Sequence, residues 1–213
     1  MNETTPDVVH IVDDDASFLS SMSRLLRASG YSVKTFACAE DFLSQLTPAA
    51  RGCVVADLRM PGQSGFDLQD TLARAGSRMP VVFVTGHGDI PDSVRAMRNG
   101  AEDFLTKRAP KAQLLAAVQR ALERGARDRS QDQRLRELRG RLGLLTQRER
   151  DVLDLVVKGR MNKEIAVALA IHERTVKLHR TSITTKLQVH SVAELTRLVM
   201  EAQPNGAGFA GAS

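Results

Sequence analysis

The stretch Cys53-Val54-Val55-Ala56-Asp57-Leu58-Arg59-Met60-Pro61 joins a short apolar run to a single carboxylate and a loop that ends in proline. An apolar run between turn-forming residues is typical of a buried strand in a parallel sheet. Asp57 would then stand at the carboxyl end of this strand, which is the edge where open α/β sheets bind ligands. A lone Asp after a strand can also do no more than begin a turn, so both interpretations have to be weighed against the rest of the chain.

Charge is distributed unevenly over the 213 residues, which are enough for two ordinary domains. Residues 1–120 carry 13 Lys and Arg against 14 Asp and Glu, whereas residues 121–213 carry 17 against 11, which gives −1 and +6. The basic second half predicts an anionic partner, and nucleic acid is favoured over membrane because no strongly apolar amphipathic stretch accompanies the charge. No apolar run has the length of a membrane span or signal sequence, so we expect a cytoplasmic protein without membrane association. Cys38 and Cys53 are interpreted as buried thiols.

Apolar runs and helical patterns alternate along the first half of the chain. The predicted strands cover residues 8–12, 32–36, 53–56, 81–84 and 103–106. The helical patterns cover residues 19–26, 39–46, 65–75, 92–99 and 110–122. This alternation predicts an α/β fold, a doubly wound parallel sheet of five strands with helices on both faces and right-handed crossovers.

Polar residues come directly after the predicted strands, namely Asp13, Asp14, Asp57, Thr85 and Lys107. Since parallel strands end at one edge of their sheet, these side chains are expected to converge on one crevice. Clustered carboxylates repel one another, and Mg²⁺ relieves this repulsion because it binds through one or two carboxylates and shares a phosphate oxygen. A carboxylate beside the metal can attack phosphorus and carry the phosphoryl group. Lys107 and Thr85 would then stabilise the phosphoryl oxygens.

With these residues in place, the segment 8–122 resembles the receiver domain of a two-component response regulator. The resemblance implies a flavodoxin-like sheet with strand order 2-1-3-4-5 and makes Asp57 the phosphorylation site. It also implies Mg²⁺ bound directly by Asp14, Asp57 and the backbone carbonyl of Arg59, with Asp13 contributing through water.

Thr85 and Phe104 resemble the switch pair of receivers, in which the hydroxyl moves toward the phosphate while the ring turns inward. The segment Val84-Thr85-Gly86-His87-Gly88-Asp89 is similar to the FixJ branch in particular. The chain departs from the receiver pattern after Lys107, where receivers usually have a proline joined by a cis bond and this chain has Arg108. A cis bond before a non-proline residue costs about 3 kcal/mol, so we expect a trans bond and a different aim for Lys107.

Two alternatives remain at this point. The departure at Arg108 favours a regulator that binds DNA independently of phosphorylation. The other alternative is a phosphatase that works through an aspartyl intermediate. It is disfavoured because such enzymes resemble one another in needing a second Asp two residues after the nucleophile, and Arg59 stands there.

Residues 123–145 are strongly charged and are interpreted as a solvated linker helix. Leu135, Leu138, Leu142 and Leu145 recur at spacings of three, four and three, which is also the pattern of a seam that could pair with a second copy. Glycines interrupt the segment and weaken any coiled coil.

Four short helices are predicted within residues 146–202. Thr146 followed three residues later by Glu149 is a capping-box signature for the first helix, and Ser191 is positioned to cap the fourth. The three-residue turn 171–173 between the second and third helices favours a helix-turn-helix over a purely structural bundle. The polar face of the third helix supports this choice, because its cations can neutralise phosphates while other side chains contact base edges.

The segment 146–202 resembles the LuxR-type DNA-binding domain through three motifs. They are Leu145-Thr146-x-Arg148-Glu149, then Gly159-x-x-Asn162-Lys163-Glu164-Ile165-Ala166, then Thr175-Val176-Lys177-x-His179. The resemblance implies that the fourth helix pairs on a two-fold operator. The departures, His172 at a usual small capping residue and Gln188 at a frequent glycine, are expected to affect stability more than function.

The candidate DNA contacts divide into two groups. The residues expected to face bases are Lys177, Leu178 and Thr181. The residues expected near phosphates are Asn162, Lys163, Thr175, His179 and Arg180, and the polar face adds Arg174 and Lys186. His179 can equally support helix packing, and Glu149 is interpreted as a structural cap or bridge.

The sequence therefore resembles a transcription regulator of the FixJ/NarL class. This class implies a sensor histidine kinase and promoter DNA as partners, Mg²⁺ as cofactor and a homodimer after phosphorylation. The Gly- and Ala-rich tail, residues 203–213, is expected to be disordered.

Overall fold

The computed structural model describes residues 6–86 and 89–202, which divide into two units between Ser130 and Gln131. The predicted tail 203–213, together with His87 and Gly88 of the FixJ-like segment, lies outside the described residues. Within the described part of the chain, no helix is both long enough and apolar enough to cross a bilayer.

The first unit is built on a five-stranded parallel sheet with the order β2-β1-β3-β4-β5. Its strands are β1 Val8–Val12, β2 Ser32–Phe36, β3 Gly52–Ala56, β4 Val81–Thr85 and β5 Asp103–Thr106. The register places Val12 opposite both Phe36 and Ala56, so the strands end together at one edge. The fold class and the strand order are confirmed.

Helices cover both faces of this sheet, namely α1 Ala16–Ala28, α2 Ala39–Ser44, α3 Gly65–Arg74, α4 Ile90–Arg98 and the beginning of α5 Lys111–Gly143. One core cluster joins Val9 and Ile11 of β1 to Leu26 of α1 and Val118 of α5. Another core cluster lies on the opposite face and contains Val12, Val54, Phe42, Leu72 and Ala96. Every residue of β3 and β4 is buried, which is why these strands are continuous apolar runs in the sequence.

The helix α5 differs from the prediction, because it runs unbroken for 33 residues where we expected an amphipathic helix to residue 122 and then a separate linker helix. Its first turns pack on the sheet through Leu114 and Val118. Near its other end Leu138 and Leu142, with Leu145 just beyond, are buried in the core of the second unit. The regular leucine spacing is therefore explained by packing within that unit, and these three leucines do not form a seam open to a second copy.

The second unit contains α6 Gln147–Val157, α7 Asn162–Leu169, α8 Glu173–Leu187 and α9 Val192–Ala202. Its core includes Leu153 of α6, Ile165 of α7, Ile183 of α8 and Leu195 of α9. The turn between α7 and α8 begins at Ala170, which adopts a left-handed conformation with φ 52°. This arrangement is the predicted helix-turn-helix.

His10 in the middle of β1 is a buried polar residue whose ring nitrogens make no well-formed hydrogen bond. Its ring lies against Phe36 and Phe42, with centroids 6.0 and 5.4 Å away. Burial lowers the pKa of His10, the nearby Lys34 ammonium adds to this effect, and the Arg51 backbone offsets it only in part. The neutral imidazole is therefore the form that the folded first unit accommodates.

We expect His10→Leu to flatten the acid dependence of stability in the first unit. A lowered histidine pKa means that the unfolded chain binds more protons, so stability falls as the pH drops below about 6.5, by at most about 1.4 kcal/mol per pH unit. Urea unfolding followed by Tyr31 fluorescence measures the stability of the first unit at each pH. Tyr31 is the single tyrosine of the chain and packs in the first unit, and the chain has no tryptophan. Equal pH dependence in the native chain and the variant would contradict the expectation.

Candidate functional sites

The carboxyl edge of the sheet brings three carboxylates together. Asp13 follows β1 and is fully buried, Asp57 follows β3 and is 7% exposed, and Asp14 is exposed. One oxygen from each carboxylate lies within 4.8 Å of the others. The predicted convergence of Asp13, Asp14 and Asp57 is therefore present.

Lys107 at the end of β5 completes this cluster. Its ammonium lies 2.8 Å from Asp57 Oδ2 and 2.7 Å from Asp13 Oδ2. The expectation that Arg108 would aim Lys107 elsewhere is wrong. No peptide bond among the described residues is cis, and the backbone N–H of Lys107 donates to the Thr85 carbonyl at 2.8 Å, which fixes the start of a side chain long enough to reach both acids.

Burial and ion pairing have opposite effects on the pKa values of Asp13 and Lys107. Burial raises the pKa of the Asp13 carboxyl, and the bond from Lys107 offsets this only in part. Burial acts to lower the pKa of the Lys107 ammonium, but its hydrogen bonds to Asp13 and Asp57 outweigh that effect and raise it. The positive charge of Lys107 thus leaves the three carboxylates incompletely compensated.

This oxygen-rich, under-compensated cluster fits a small divalent cation. Mg²⁺ prefers carboxylate oxygen and binds through few protein ligands. The described residues offer three carboxylates at suitable separation, and one of them, Asp14, is open to solvent. The predicted fourth ligand is the backbone carbonyl of Arg59. The backbone N–H of the same residue donates to Asp57 Oδ1 at 3.3 Å, so Arg59 lies next to the cluster.

The backbone around Asp57 is held from two sides. Its N–H donates to the Val12 carbonyl at 2.9 Å, which ties it to β1. On the other side α3 begins at Gly65, where an added Cβ would lie 2.4 Å from the Asp57 carbonyl oxygen. Only a glycine permits this close approach, so α3 positions the loop that follows Asp57 directly.

The predicted switch pair lies on the neighbouring strands. Thr85 ends β4 and is buried, and Phe104 of β5 is half-buried. The Phe104 ring lies 6.4 Å from that of Phe83. Both residues therefore lie on β4 and β5, next to the strands that carry the acidic cluster.

The polar face of α8 is accessible along most of its length. Its exposed members are Arg174, Lys177, Leu178 and Thr181, and its half-buried members are Thr175, His179 and Arg180. Leu178 is 65% exposed although it is apolar, and an exposed apolar side chain among cations suits the methyl group of thymine. On α7, Lys163 is exposed, and Asn162 accepts a hydrogen bond from Arg180 at 3.2 Å.

Lys186 makes a contact that the sequence did not predict. Its ammonium lies 2.7 Å from Oε2 of Glu149, a buried residue of α6. Glu149 also accepts from the Thr146 N–H at 2.7 Å and from the Ser182 hydroxyl at 2.6 Å. Glu149 is thus both the predicted cap and a bridge between α6 and α8, and the contact supports a structural role for Lys186. No local pattern in the sequence marks Ser182 as part of this network.

Both halves match known families. Residues 9–119 match the response regulator receiver domain, and residues 143–199 match the luxR family of bacterial regulatory proteins. The chain therefore belongs to the response regulators that carry a LuxR-type DNA-binding domain, which are transcriptional regulators and not enzymes.

Two response regulators and one solved structure are similar to this chain over most of its length. The transcriptional regulatory protein FixJ of Azorhizobium caulinodans is 42% identical over 94% of each chain. The response regulator protein TodT of Pseudomonas putida is 41% identical over 90% of this chain and 84% of its own. The solved structure of the response regulator StyR is 44% identical and covers 92% of this chain and 100% of its own, with a TM-score of 0.85.

The Glu149 network has a defined dependence on pH. Burial acts to raise the pKa of the Glu149 carboxyl, but the hydrogen bonds from Lys186, Ser182 and Thr146 prevail and lower it to about 2. A lowered carboxyl pKa means that the stabilisation is complete above the ordinary value of 4.5 and is lost as the pH falls toward about 2.

We expect Glu149→Gln to reduce the free energy of unfolding of the second unit by about 2 kcal/mol at neutral pH, and by less as the pH falls below the ordinary value of 4.5. Pulsed hydrogen exchange of peptides from α6 and α8 in increasing urea measures this unit separately. The control is Glu164→Gln, since Glu164 accepts from the Met161 N–H at 2.8 Å and pairs with Arg160 at 3.3 Å but is 45% exposed. Similar losses in the two variants would rule out a special role for the buried network.

Proposed function

We propose that this protein is a phosphorylation-controlled transcription regulator in which Asp57 accepts a phosphoryl group and the second unit binds promoter DNA as a dimer. The observation that carries the proposal is the approach of the Lys107 ammonium to within 2.8 Å of Asp57 at the edge shared with Asp13 and Asp14. A carboxylate at the sheet edge beside a fixed cation is the arrangement that receives a phosphoryl group.

The transfer step is a substitution at phosphorus. A carboxylate oxygen of Asp57 forms the new P–O bond while the bond to the leaving group breaks, so the leaving group departs with the electron pair and Asp57 becomes an acyl phosphate. The natural donor in our proposal is a phosphohistidine of a sensor histidine kinase. Asp14, Asp57 and the Arg59 carbonyl would hold Mg²⁺ directly and Asp13 would hold it through water, and the bound ion would neutralise negative charge on the phosphoryl oxygens.

The residues around Asp57 then respond to the added charge. Lys107, which pairs with the carboxylate at 2.8 Å, pairs with a phosphoryl oxygen instead. Thr85 donates to another oxygen and Phe104 turns into the space that the hydroxyl leaves. The consequence is a changed surface on α4, β5 and α5, through which two receivers pair.

The surface of α4 supports this pairing role. Ile90, Val94 and Met97 lie at helical spacing and are 79%, 43% and 50% exposed. Burying such an apolar stripe against a second copy is favourable. Paired receivers raise the local concentration of the second units, which bind two half-sites through α8 while α9 contacts α9.

A second candidate is DNA binding that does not depend on phosphate. The observation that favours it is Arg108 in place of the usual proline, together with a Lys107 that already pairs with Asp13 and Asp57. In this case the receiver would pair without any covalent change.

Incubation with acetyl phosphate and Mg²⁺ is expected to add one phosphoryl group to the native chain and none to Asp57→Asn. Acetate is the leaving group, and the Asn amide is too weak a nucleophile to replace the carboxylate. Intact mass measurement reads the result, with a DNA-binding assay run beside it. A native chain that gains no phosphoryl group but still binds operator DNA would establish the second candidate.

We expect Lys177→Ala to weaken specific DNA binding by about 1–3 kcal/mol, because an exposed cation of α8 directed at base edges contributes about that much discrimination. Binding to an operator and to unrelated DNA is measured at one fixed salt concentration. Lys158→Ala is the matched control, since Lys158 is an exposed cation at the end of α6. An unchanged ratio of specific to nonspecific affinity in Lys177→Ala would show that Lys177 does not contact the bases.

A further inference from the structure

The helix α4 is weakly anchored to the first unit. Of its nine residues Ala96 is the buried one, whereas Ile90, Val94 and Met97 are exposed. Side chains supply part of its attachment. The guanidinium of Arg95 lies 4.1 Å above the Phe66 ring, and the guanidinium of Arg59 lies 3.6 Å from the Asp92 carboxylate. A helix held in this way can move when one attachment is lost.

Arg59 is joined to both the acceptor and this helix. Its backbone N–H donates to Asp57 Oδ1 at 3.3 Å, and its side chain pairs with Asp92 in the first turn of α4. Any charge added to Asp57 therefore appears on a side chain that contacts the Arg59 backbone, while the Arg59 side chain holds α4.

We propose that Arg59 is a positioning residue that transmits the phosphorylation state of Asp57 to α4, an inference that rests on the proposed function. While Asp57 is a free carboxylate, Arg59 pairs with Asp92 and holds the amino end of α4. A phosphoryl group on Asp57 attracts the guanidinium, the pair with Asp92 is lost, and α4 is free to move and to pair.

The energetics favour this exchange of partners. The side chains of Arg59 and Asp92 are 64% and 25% exposed, and an ion pair this open to water stabilises weakly. A phosphoryl group carries a charge of about −1.5 to −2 and accepts paired hydrogen bonds from a guanidinium. Asp92 remains in the first turn of α4, where the helix dipole favours a negative charge, so its release costs little.

A double-mutant cycle tests the coupling on the full chain, with Arg59→Gln, Asp92→Asn and both together. Hydrogen exchange of α4 and the Kd of the dimer by sedimentation are measured with and without acetyl phosphate and Mg²⁺, and the extent of phosphorylation is read by mass. Asp70→Asn is the matched control, because Asp70 is an exposed carboxylate on the neighbouring helix α3.

Without the phosphate donor, we expect each single variant to speed exchange in α4 and to tighten pairing about two- to five-fold, the range of an exposed ion pair. The double variant is expected to match the singles. In the phosphorylated state Asp92→Asn should equal the native chain, because the pair has already been lost. Asp70→Asn should match the native chain in both states.

Two results would overturn the inference, and they are distinguishable. If the native chain takes up a phosphoryl group but the two substitutions act additively, or Asp92→Asn has the same effect in both states, then Arg59 does not transmit the signal although the proposed function stands. If the native chain takes up no phosphoryl group, the proposed function fails and the role of Arg59 fails with it.

Discussion

The repulsion among Asp13, Asp14 and Asp57 is the constraint on which the first unit depends. Three carboxylates whose oxygens lie within 4.8 Å cannot all stay charged without nearby cations. Lys107 supplies one positive charge from the end of β5. The parallel topology is what makes this possible, since residues separated by more than ninety positions reach the same edge only when their strands run in the same direction.

The rigidity of the first unit is uneven, and the unevenness has a physical origin. The strands β3 and β4 are buried at every position, so Asp57 stands on the best-packed part of the sheet. In α4 Ala96 is the buried residue, which leaves this helix near the low end of local stability. A change of charge at Asp57 can therefore move α4 without disturbing the buried core between them.

Local patterns determined how much the sequence could predict. Apolar runs located the strands, their common direction placed Asp13, Asp57, Thr85 and Lys107 at one edge, and Thr146 with Glu149 marked a helix start. The failures concern choices that no local pattern encodes. The leucines before residue 146 pack within the second unit, Lys107 reaches its acids despite Arg108, and Arg59 pairs with Asp92, all through contacts that only the folded chain defines.

A buried carboxylate has a raised pKa in the first unit and a lowered pKa in the second. Asp13 keeps a raised pKa because Lys107 offsets the effect of its burial only in part, so added positive charge would stabilise the acidic edge. Glu149 has a pKa of about 2 because Lys186, Ser182 and Thr146 satisfy it. The first arrangement leaves negative charge uncompensated, whereas the second fixes α8 against α6 and leaves the polar face of α8 exposed. Incomplete compensation therefore suits the unit that receives a signal, and complete compensation suits the unit that presents a fixed surface.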